Sequence, residues 1–124
     1  ALQTIYQVLA EMEGQAPKRL EDKALWQLAL SGDDSLAAAA FDRFCLCLGA
    51  FSGDITLAQG ARSVVIAGGV GKRIAHRLSS SGFCERFTAK GRFQSLMEQI
   101  PVKQLLHDQP GLFGAAGAFL KEHK

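Results

Sequence analysis

The stretch VVIAGGVGKRIAHRL, residues 64 to 78, constrains the fold of this chain more than any other segment. It begins inside RSVVIA, residues 62 to 67, whose apolar and β-branched side chains predict a short strand buried on both faces, as in a parallel sheet. Gly68 and Gly69 follow, and residues 71 to 81 predict a helix. A buried strand that passes through a glycine turn into a helix indicates an α/β fold, and many folds seat a nucleotide on such a turn.

A second strand is predicted over VKQLLH, residues 102 to 107, directly after Pro101. Because a helical segment separates the two strands, they are expected to form a right-handed parallel pair. A pair with both faces apolar is not stable alone and needs further strands and covering helices. Either the sequence contains further strands that its pattern does not reveal, or the rest of the sheet lies in another part of the protein, outside these 124 residues.

The other segments predict helices, because apolar residues recur in them at helical spacing. The predicted helices cover residues 1 to 13, residues 20 to 30, a long and mostly buried segment after the N-cap cluster at residues 33 to 35, one or two short helices in residues 83 to 100, and an Ala-rich terminal helix that begins near Pro110. Gly82 is predicted to cap the end of the helix over residues 71 to 81.

The long helix carries two patterns that predict its packing. Five apolar residues fall on one stripe and are expected to face the core: Leu36, Ala40, Phe44, Leu48 and Phe51. Gly49 and Gly53 are small enough for another backbone to approach closely, although both lower the helix propensity.

The charge, the hydropathy and the cysteine content argue against several partners and sites for this chain. Lys and Arg number 14 against 12 Asp and Glu, so no global field favours nucleic acid or an anionic membrane as the main partner. No uninterrupted apolar run reaches the ~18 residues of a membrane span, and no basic segment precedes an apolar one near the start. Cys45, Cys47 and Cys84 fit no disulfide framework and no zinc-ligand spacing, so reduced cytoplasmic thiols are predicted.

Three nucleotide-binding modes are weighed for the turn. A phosphate-binding P-loop requires GxxxxGK followed by Ser or Thr, but Ile66 stands at the first Gly position and Arg73 at the hydroxyl position. A dinucleotide fold requires GxGxxG, and Ile74 replaces its last Gly. In the third mode, Gly68 and Gly69 let the backbone pass flat beside an adenine or a ribose, because a Cβ would collide with the ring. A strand-to-helix turn with no ligand explains the glycines as well, so the local sequence leaves the choice open.

Several short motifs occur along the chain in an order that resembles a known protein family. From residue 66 onward the chain reads IAGGVGKRI, then SSSGFCERFTAKGRF, then IPVKQLLHDQPGLFGAAGAFL. In this order, the AGG turn and the SGF, KGRF, IPV and HDxPGLxGA motifs resemble the C-terminal portion of the bacterial glucokinases. These are cytoplasmic enzymes of the hexokinase, actin and Hsp70 superfamily, which transfer a phosphate from ATP to glucose. Many sugar kinases share the AGG turn, whereas the later motifs are much more specific.

The resemblance implies the fold and the binding residues of this chain. The fold would be a partial actin-like, ribonuclease H-like ATPase domain, helix-rich and with the short parallel strand pair described above. Gly68, Gly69 and Val70 would form the adenosine-binding turn, and Arg73 would open the following helix near it. ATP and Mg²⁺ would be the cofactors and glucose the substrate, with no nucleic-acid or membrane partner. The apolar surface left without its second lobe predicts self-association, for which a homodimer is the simplest form.

The resemblance also implies that the catalytic residues lie elsewhere. A DxGGT segment that contacts phosphate, the Asp that deprotonates the sugar and the glucose ligands are expected in an N-terminal part, and no DxGGT occurs here. Residues 1 to 110 would belong to the larger, nucleotide-side lobe, and residues 111 to 124 to a terminal helix that packs toward the smaller lobe. The chain alone is predicted to be inactive. The alternative is a non-catalytic sugar-kinase-like fragment used for regulation or dimerisation.

A polar pair, the basic residues and three phenylalanines could each have a structural or a functional role. His107 and Asp108 are predicted to cap a turn rather than to perform acid–base chemistry. A solvated basic face, rather than a catalytic site, is predicted for His76 amid Lys72, Arg73 and Arg77. The wider basic cluster could meet nucleotide phosphate or nucleic acid by charge alone, and it consists of Lys72, Arg73, Arg77, Arg86, Lys90 and Arg92. Phe83, Phe87 and Phe93 are predicted to anchor the short helices to the core rather than to stack on bases.

Overall fold

The computed structural model describes residues 2 to 106 and 110 to 122. The elements are α1 (Leu2–Met12), α2 (Asp22–Ser31), α3 (Ser35–Gln59), β1 (Val64–Ile66), α4 (Gly68–Leu78), α5 (Phe83–Thr88), a 3-10 turn (Gly91–Phe93), α6 (Gln94–Glu98), β2 (Val102–Gln104) and α7 (Pro110–Glu122). A helix-rich α/β arrangement with two strands is therefore confirmed. The turn predicted at His107 and Asp108 lies outside the described residues.

The long helix α3 begins at the predicted N-cap cluster. The Oδ1 atom of Asp34 accepts hydrogen bonds from the backbone N–H groups of Leu36 at 2.9 Å and Ala37 at 3.1 Å. At the other end, Gly60 adopts a left-handed φ of 63°, and its N–H donates to the carbonyl of Leu57. Both signals fix the bounds of α3, because an Asp satisfies free N–H groups and a Gly tolerates a positive φ.

Removing the N-cap is expected to destabilise the protein measurably. Asp34→Ala should lower the free energy of unfolding by about 1 kcal/mol, because two N–H groups of α3 lose their acceptor. Asp34→Asn is the matched control: it keeps a capping oxygen and loses only the 3.7 Å ion pair with the exposed Lys18. Urea titration of the two variants measures the difference, and equal losses would contradict the capping role.

The strands β1 and β2 form a parallel pair, as predicted. The register sets Val64 opposite Val102, Val65 opposite Lys103 and Ile66 opposite Gln104. Each strand has three residues, so both predicted ranges are too long. The prediction that the first strand is buried on both faces is wrong, because Val65 is 59% exposed while its neighbours pack inward. In the described part of the chain, helices cover one face of the pair, and the face of Val65 is open.

The core lies where α1 and α2 pack against the first half of α3. Leu2, Tyr6 and Leu25 are almost fully buried there, and so is Phe41. The Trp26 ring meets the Phe41 ring edge-on at a centroid distance of 6.3 Å. Edge-to-face contact is a favoured aromatic geometry, so this cluster fixes the helical layer on which the strands rest.

Close packing of α5 on α3 depends on the two predicted glycines. A Cβ on Gly49 would collide with the carbonyl oxygen of Phe83, and one on Gly53 would lie 2.6 Å from the carbonyl oxygen of Phe87. The predicted close approach is therefore confirmed. Because α5 packs along this side of α3, the predicted apolar stripe stops short of Phe51, which is 63% exposed.

The phenylalanines of the short helices differ in their roles. Phe83 and Phe87 are buried and their rings stack at a centroid distance of 5.9 Å, so their predicted anchoring role is confirmed. For Phe93 the prediction is wrong, since its side chain is 45% exposed and contacts the Arg92 guanidinium at 5.4 Å. Phe93 belongs to the 3-10 turn, which lies beyond the α3 and α5 contact.

By length and composition, α3 is also long and apolar enough to cross a membrane, and among the described helices it is alone in this. Its most apolar window has a mean hydropathy of 1.3, and 39% of that window is buried inside the fold. The helix contains Asp42, Arg43 and Asp54, which interrupt any continuous apolar run. Its buried residues contribute to the same core as α1, α2 and α5, which accounts for its apolar character.

The three thiols are free and differ in exposure. Cys45 is buried in α3, and this burial raises the pKa of its thiol, while a hydrogen bond with Ser81 partly offsets the rise. Cys47 and Cys84 are exposed. Since the thiolate is the reactive form, the buried thiol is expected to be inert.

Alkylation measures this difference. Iodoacetamide at pH 8 should modify Cys47 and Cys84 in the native protein and leave Cys45 unmodified, as read by peptide mass spectrometry. The same reaction in urea should modify Cys45 as well. Equal labelling of Cys45 in the folded and unfolded protein would contradict its burial.

Candidate functional site

The strand-to-helix turn is built from β1 and the first turn of α4. Ala67 is extended (φ −131°, ψ 173°), and Gly68 then takes a φ of +93°, which turns the chain directly into the helix. The prediction that the helix begins at Gly71 and is capped by Gly82 is therefore wrong. The helix begins at Gly68 because a single glycine with positive φ makes the whole turn, and Gly82 instead precedes α5 as its N-cap.

The glycines of this turn meet different structural demands. Gly68 is required by its positive φ. Gly71 is buried, and a Cβ there would lie 2.9 Å from Cγ2 of Ile66, so it allows α4 to pack against β1. Gly69 has an ordinary φ, and apart from Gly68, Val70 and the adjacent backbone of α4 no described atom lies within 4 Å of an added Cβ. The described fold thus explains two of the glycines and leaves Gly69 without a structural reason.

The turn presents its backbone to the outside while α4 is held firmly behind it. Ile74 and Leu78 bury the inner side of α4, whereas Gly68, Gly69 and Val70 are exposed. Ala67 provides no side-chain cap, so the first N–H groups of the helix keep free hydrogen-bonding capacity. These N–H groups carry a partial positive charge from the helix dipole.

Arg73, the fourth predicted site residue, lies one turn further along α4. Its Nη1 atom is 3.8 Å from Oδ2 of Asp22, and the side chains are 47% and 65% exposed. An exposed pair of this kind contributes little stability. The structure thus brings Gly68, Gly69 and Val70 together on one turn and places the guanidinium of Arg73 toward the start of α2, a partner that the sequence did not indicate.

Two cations of the basic cluster, Arg77 and Lys90, donate hydrogen bonds to backbone carbonyls of distant helices. Arg77 donates from Nη1 to the carbonyl oxygen of Leu30 at 2.7 Å, in the last turn of α2, and lies 5.7 Å from the centre of the Phe41 ring. Lys90 donates from Nζ to the carbonyl of Ala50 at 3.1 Å and to Asp54 at 2.5 Å. The prediction of a solvated basic face is therefore wrong for Arg77, and Lys90 of the wider basic cluster is also bound by oxygen atoms of the fold. Free carbonyls near a helix end attract cations, which no local pattern around Arg77 reveals.

Metal ligands are not grouped in the described ranges, 2 to 106 and 110 to 122. No set of three or more His, Cys, Asp or Glu side chains lies close enough there to hold a metal ion. The residues near the turn therefore do not by themselves fit a magnesium site, since Mg²⁺ prefers carboxylate and other oxygen ligands.

A parallel strand that enters a glycine turn and a packed helix, with one sheet face open, defines this chain as part of an α/β protein. A sequence model of the glucokinase family matches residues 1–122. The glucokinase of Zymomonas mobilis subsp. mobilis is 57% identical over 122 residues, which cover 98% of this chain and 38% of that relative. The glucokinase of Cronobacter sakazakii is 38% identical with the same coverage. A crystal structure of glucokinase from an Antarctic psychrotroph matches with a TM-score of 0.84 and 34% identity, over 94% of this chain and 37% of that one.

The chain belongs to the glucokinase family, and the resemblance seen in its motifs is confirmed. It spans about 38% of the length of the curated relatives that it matches.

Proposed function

We propose that this chain is the C-terminal portion of an ATP-dependent glucokinase, which phosphorylates glucose to glucose 6-phosphate. The observation that carries the proposal is the match to the glucokinase family over residues 1–122. The full reaction belongs to a protein of the relatives' length, of which this chain supplies a part.

The part that we assign to this chain is the adenosine-binding turn, formed by Gly68, Gly69 and Val70. The support is the exposed backbone of this turn and the open space beside Gly69, where a flat ring can approach without meeting a Cβ. Arg73 adds positive charge one turn further along α4 while it pairs with Asp22. ATP is therefore the nucleotide that this site would hold.

Catalysis would depend on the rest of the protein. In phosphoryl transfer, a sugar hydroxyl attacks the terminal phosphorus, ADP leaves and a carboxylate takes the hydroxyl proton. This chain holds the adenosine end and orients it, which places the phosphates over the neighbouring part of the protein. The carboxylate, the glucose ligands and the residues around Mg²⁺ are assigned to that neighbouring part. The isolated chain is accordingly expected to be inactive.

The lobe arrangement follows the actin-like, ribonuclease H-like architecture of the family. Residues 1 to 110 form part of the larger lobe, and the terminal helix packs toward the smaller lobe. Support comes from α7, an apolar helix in which Leu112, Phe119 and Leu120 are each at least 60% exposed. A helix this apolar needs a partner surface, and closure of two lobes would exclude water from the reaction.

The protein is proposed to work in the cytoplasm, in glycolysis, without nucleic-acid or membrane partners. The nearly balanced charge and the free thiols support this setting. A homodimer is proposed as well, because Val8, Met12 and Phe51 leave large apolar side chains exposed on α1 and α3.

A coupled assay with ATP and glucose tests the proposal. The full-length protein that carries this chain should form glucose 6-phosphate, and the 124-residue chain alone should not. The competing proposal, a regulatory or dimerisation fragment without turnover, predicts a folded full-length protein that forms no product. That result would reject the kinase assignment.

A further inference from the structure

We propose that a cleft at the amino end of the strand pair binds a small organic anion with an apolar body, such as a medium-chain carboxylate. The cleft has a volume of about 390 Å³, within the range of small-molecule sites. It is formed by the end of α3, the loop into β1 and helix α6: Thr56, Leu57, Gly60, Ala61, Arg62, Leu96, Gln99 and Ile100.

The lining of the cleft combines apolar side chains with one positively charged side chain, that of Arg62. Leu57, Leu96 and Ile100 supply the apolar surface, and Leu96 is 52% exposed although it is a large hydrocarbon side chain. Burying such surface is favourable, so a ligand with several methylene groups gains from entering. The apolar lining therefore selects the body of the ligand.

Arg62 selects the charge of the ligand. Its side chain has no hydrogen-bond or ion-pair partner among residues 2 to 106 and 110 to 122, and no carboxylate lines the cleft. Arg73, Arg77 and Lys90, in contrast, are each engaged by oxygen atoms of the fold. A guanidinium that has no partner in the described chain, at a cleft that is lined partly by apolar side chains, is a site for a carboxylate, which it can bind through two parallel hydrogen bonds.

The cleft lies at the opposite end of the strands from the glycine turn. Arg62 lies two residues before β1, and Ile100 lies two residues before β2. The N–H of Val64 donates to the carbonyl of Pro101 at 2.9 Å, which joins the two entering loops at this end. The turn at Gly68 follows the other end of β1. A ligand in the cleft therefore bridges the two strand entrances and leaves the proposed adenosine turn free.

Three probes separate the charge of the ligand from its apolar body. Hexanoate carries both, acetate carries the charge with one methyl group, and hexanol carries the chain without the charge. Saturation-transfer NMR on the full-length protein should detect hexanoate binding, with acetate and hexanol weaker by about tenfold or more, because each lacks one of the two interactions. The experiment needs no ATP or glucose, so it is independent of the kinase proposal.

Variants of two exposed lining residues, Arg62 and Leu96, assign the signal to this cleft. Arg62→Gln and Leu96→Gln should each weaken hexanoate binding by about fivefold to tenfold, and Arg62→Lys should recover part of the loss. Arg19→Gln, an exposed substitution in the loop before α2, is the matched control and should leave the affinity unchanged. Melting temperatures confirm that the variants fold.

Two results would overturn the proposal. Hexanoate affinity that is unchanged in both Arg62→Gln and Leu96→Gln would show that the probe binds elsewhere. No detectable binding of hexanoate to the folded full-length protein would show that another part of the protein fills the cleft.

Discussion

Replacing Gly69 with valine in the full-length protein is expected to raise the KM for ATP about 100-fold or more, with the KM for glucose and the melting temperature nearly unchanged. The valine side chain would occupy the open space beside the turn, where the adenosine is proposed to lie. A loss of this size corresponds to about 2.7 kcal/mol, roughly what exclusion of a ring from its seat removes. The fold should tolerate the change, because no described atom apart from Gly68, Val70 and the adjacent backbone of α4 lies within 4 Å of an added Cβ, and the φ of Gly69 is ordinary.

His76→Val is the matched control for Gly69→Val. It places the same side chain at an exposed position of α4, two turns further from β1. Its KM for ATP should remain that of the parent. If Gly69→Val folds normally and binds ATP as tightly as the parent, the turn does not seat the nucleotide, whatever the activity of the enzyme.

Replacing Gly49 with valine is expected to cost about 3 kcal/mol or more of the free energy of unfolding. The new Cβ would collide with the carbonyl oxygen of Phe83 and approach its Cα to 3.0 Å, so α5 would have to move away from α3. These are backbone atoms that cannot rotate aside, and such overpacking typically costs 1–3 kcal/mol and sometimes more, to which partial separation of two buried phenylalanines is added. A decrease in melting temperature of about 4 °C or more follows for a protein of the relatives' size.

Ala39→Val separates this collision from the lower helix propensity of valine. Ala39 is exposed on the same helix, so the substitution introduces the same β-branched residue without a neighbour to collide with. It should cost less than about 1 kcal/mol. Similar losses for Gly49→Val and Ala39→Val in thermal and urea unfolding would contradict the close contact of α3 and α5.

Local physical chemistry made much of this fold predictable. The N-cap at Asp34 and the small residues Gly49 and Gly53 each act through contacts within a helix or against its immediate neighbour. The parallel pair was predictable because a helical segment separates the two predicted strands. The failures have a common cause, since Phe51, Val65 and Phe93 are apolar residues whose burial depends on which surface is available to cover them.

The candidate site was predictable only in part. Gly68, Gly69 and Val70 were expected to form the strand-to-helix turn, but Gly68 makes it while Gly69 and Val70 lie in the first turn of α4, and the role of the three in nucleotide binding stays a prediction. The sequence could not show that Gly68 alone makes the turn, because φ is not encoded in a spacing pattern. The contacts of Arg77 with Leu30 and of Lys90 with Ala50 join residues that are 47 and 40 positions apart, so no local pattern contains them.

The register of the strand pair has a consequence for the order in which this region folds. Val64 pairs with Val102, so the partners are 102 − 64 = 38 positions apart and the pair closes a long loop of chain. Such closure is costly before the intervening segments are compact. The helices α2 and α3, which follow each other in the chain and pack together, are expected to form first, and the two strands are expected to join late on the surface of the helical core.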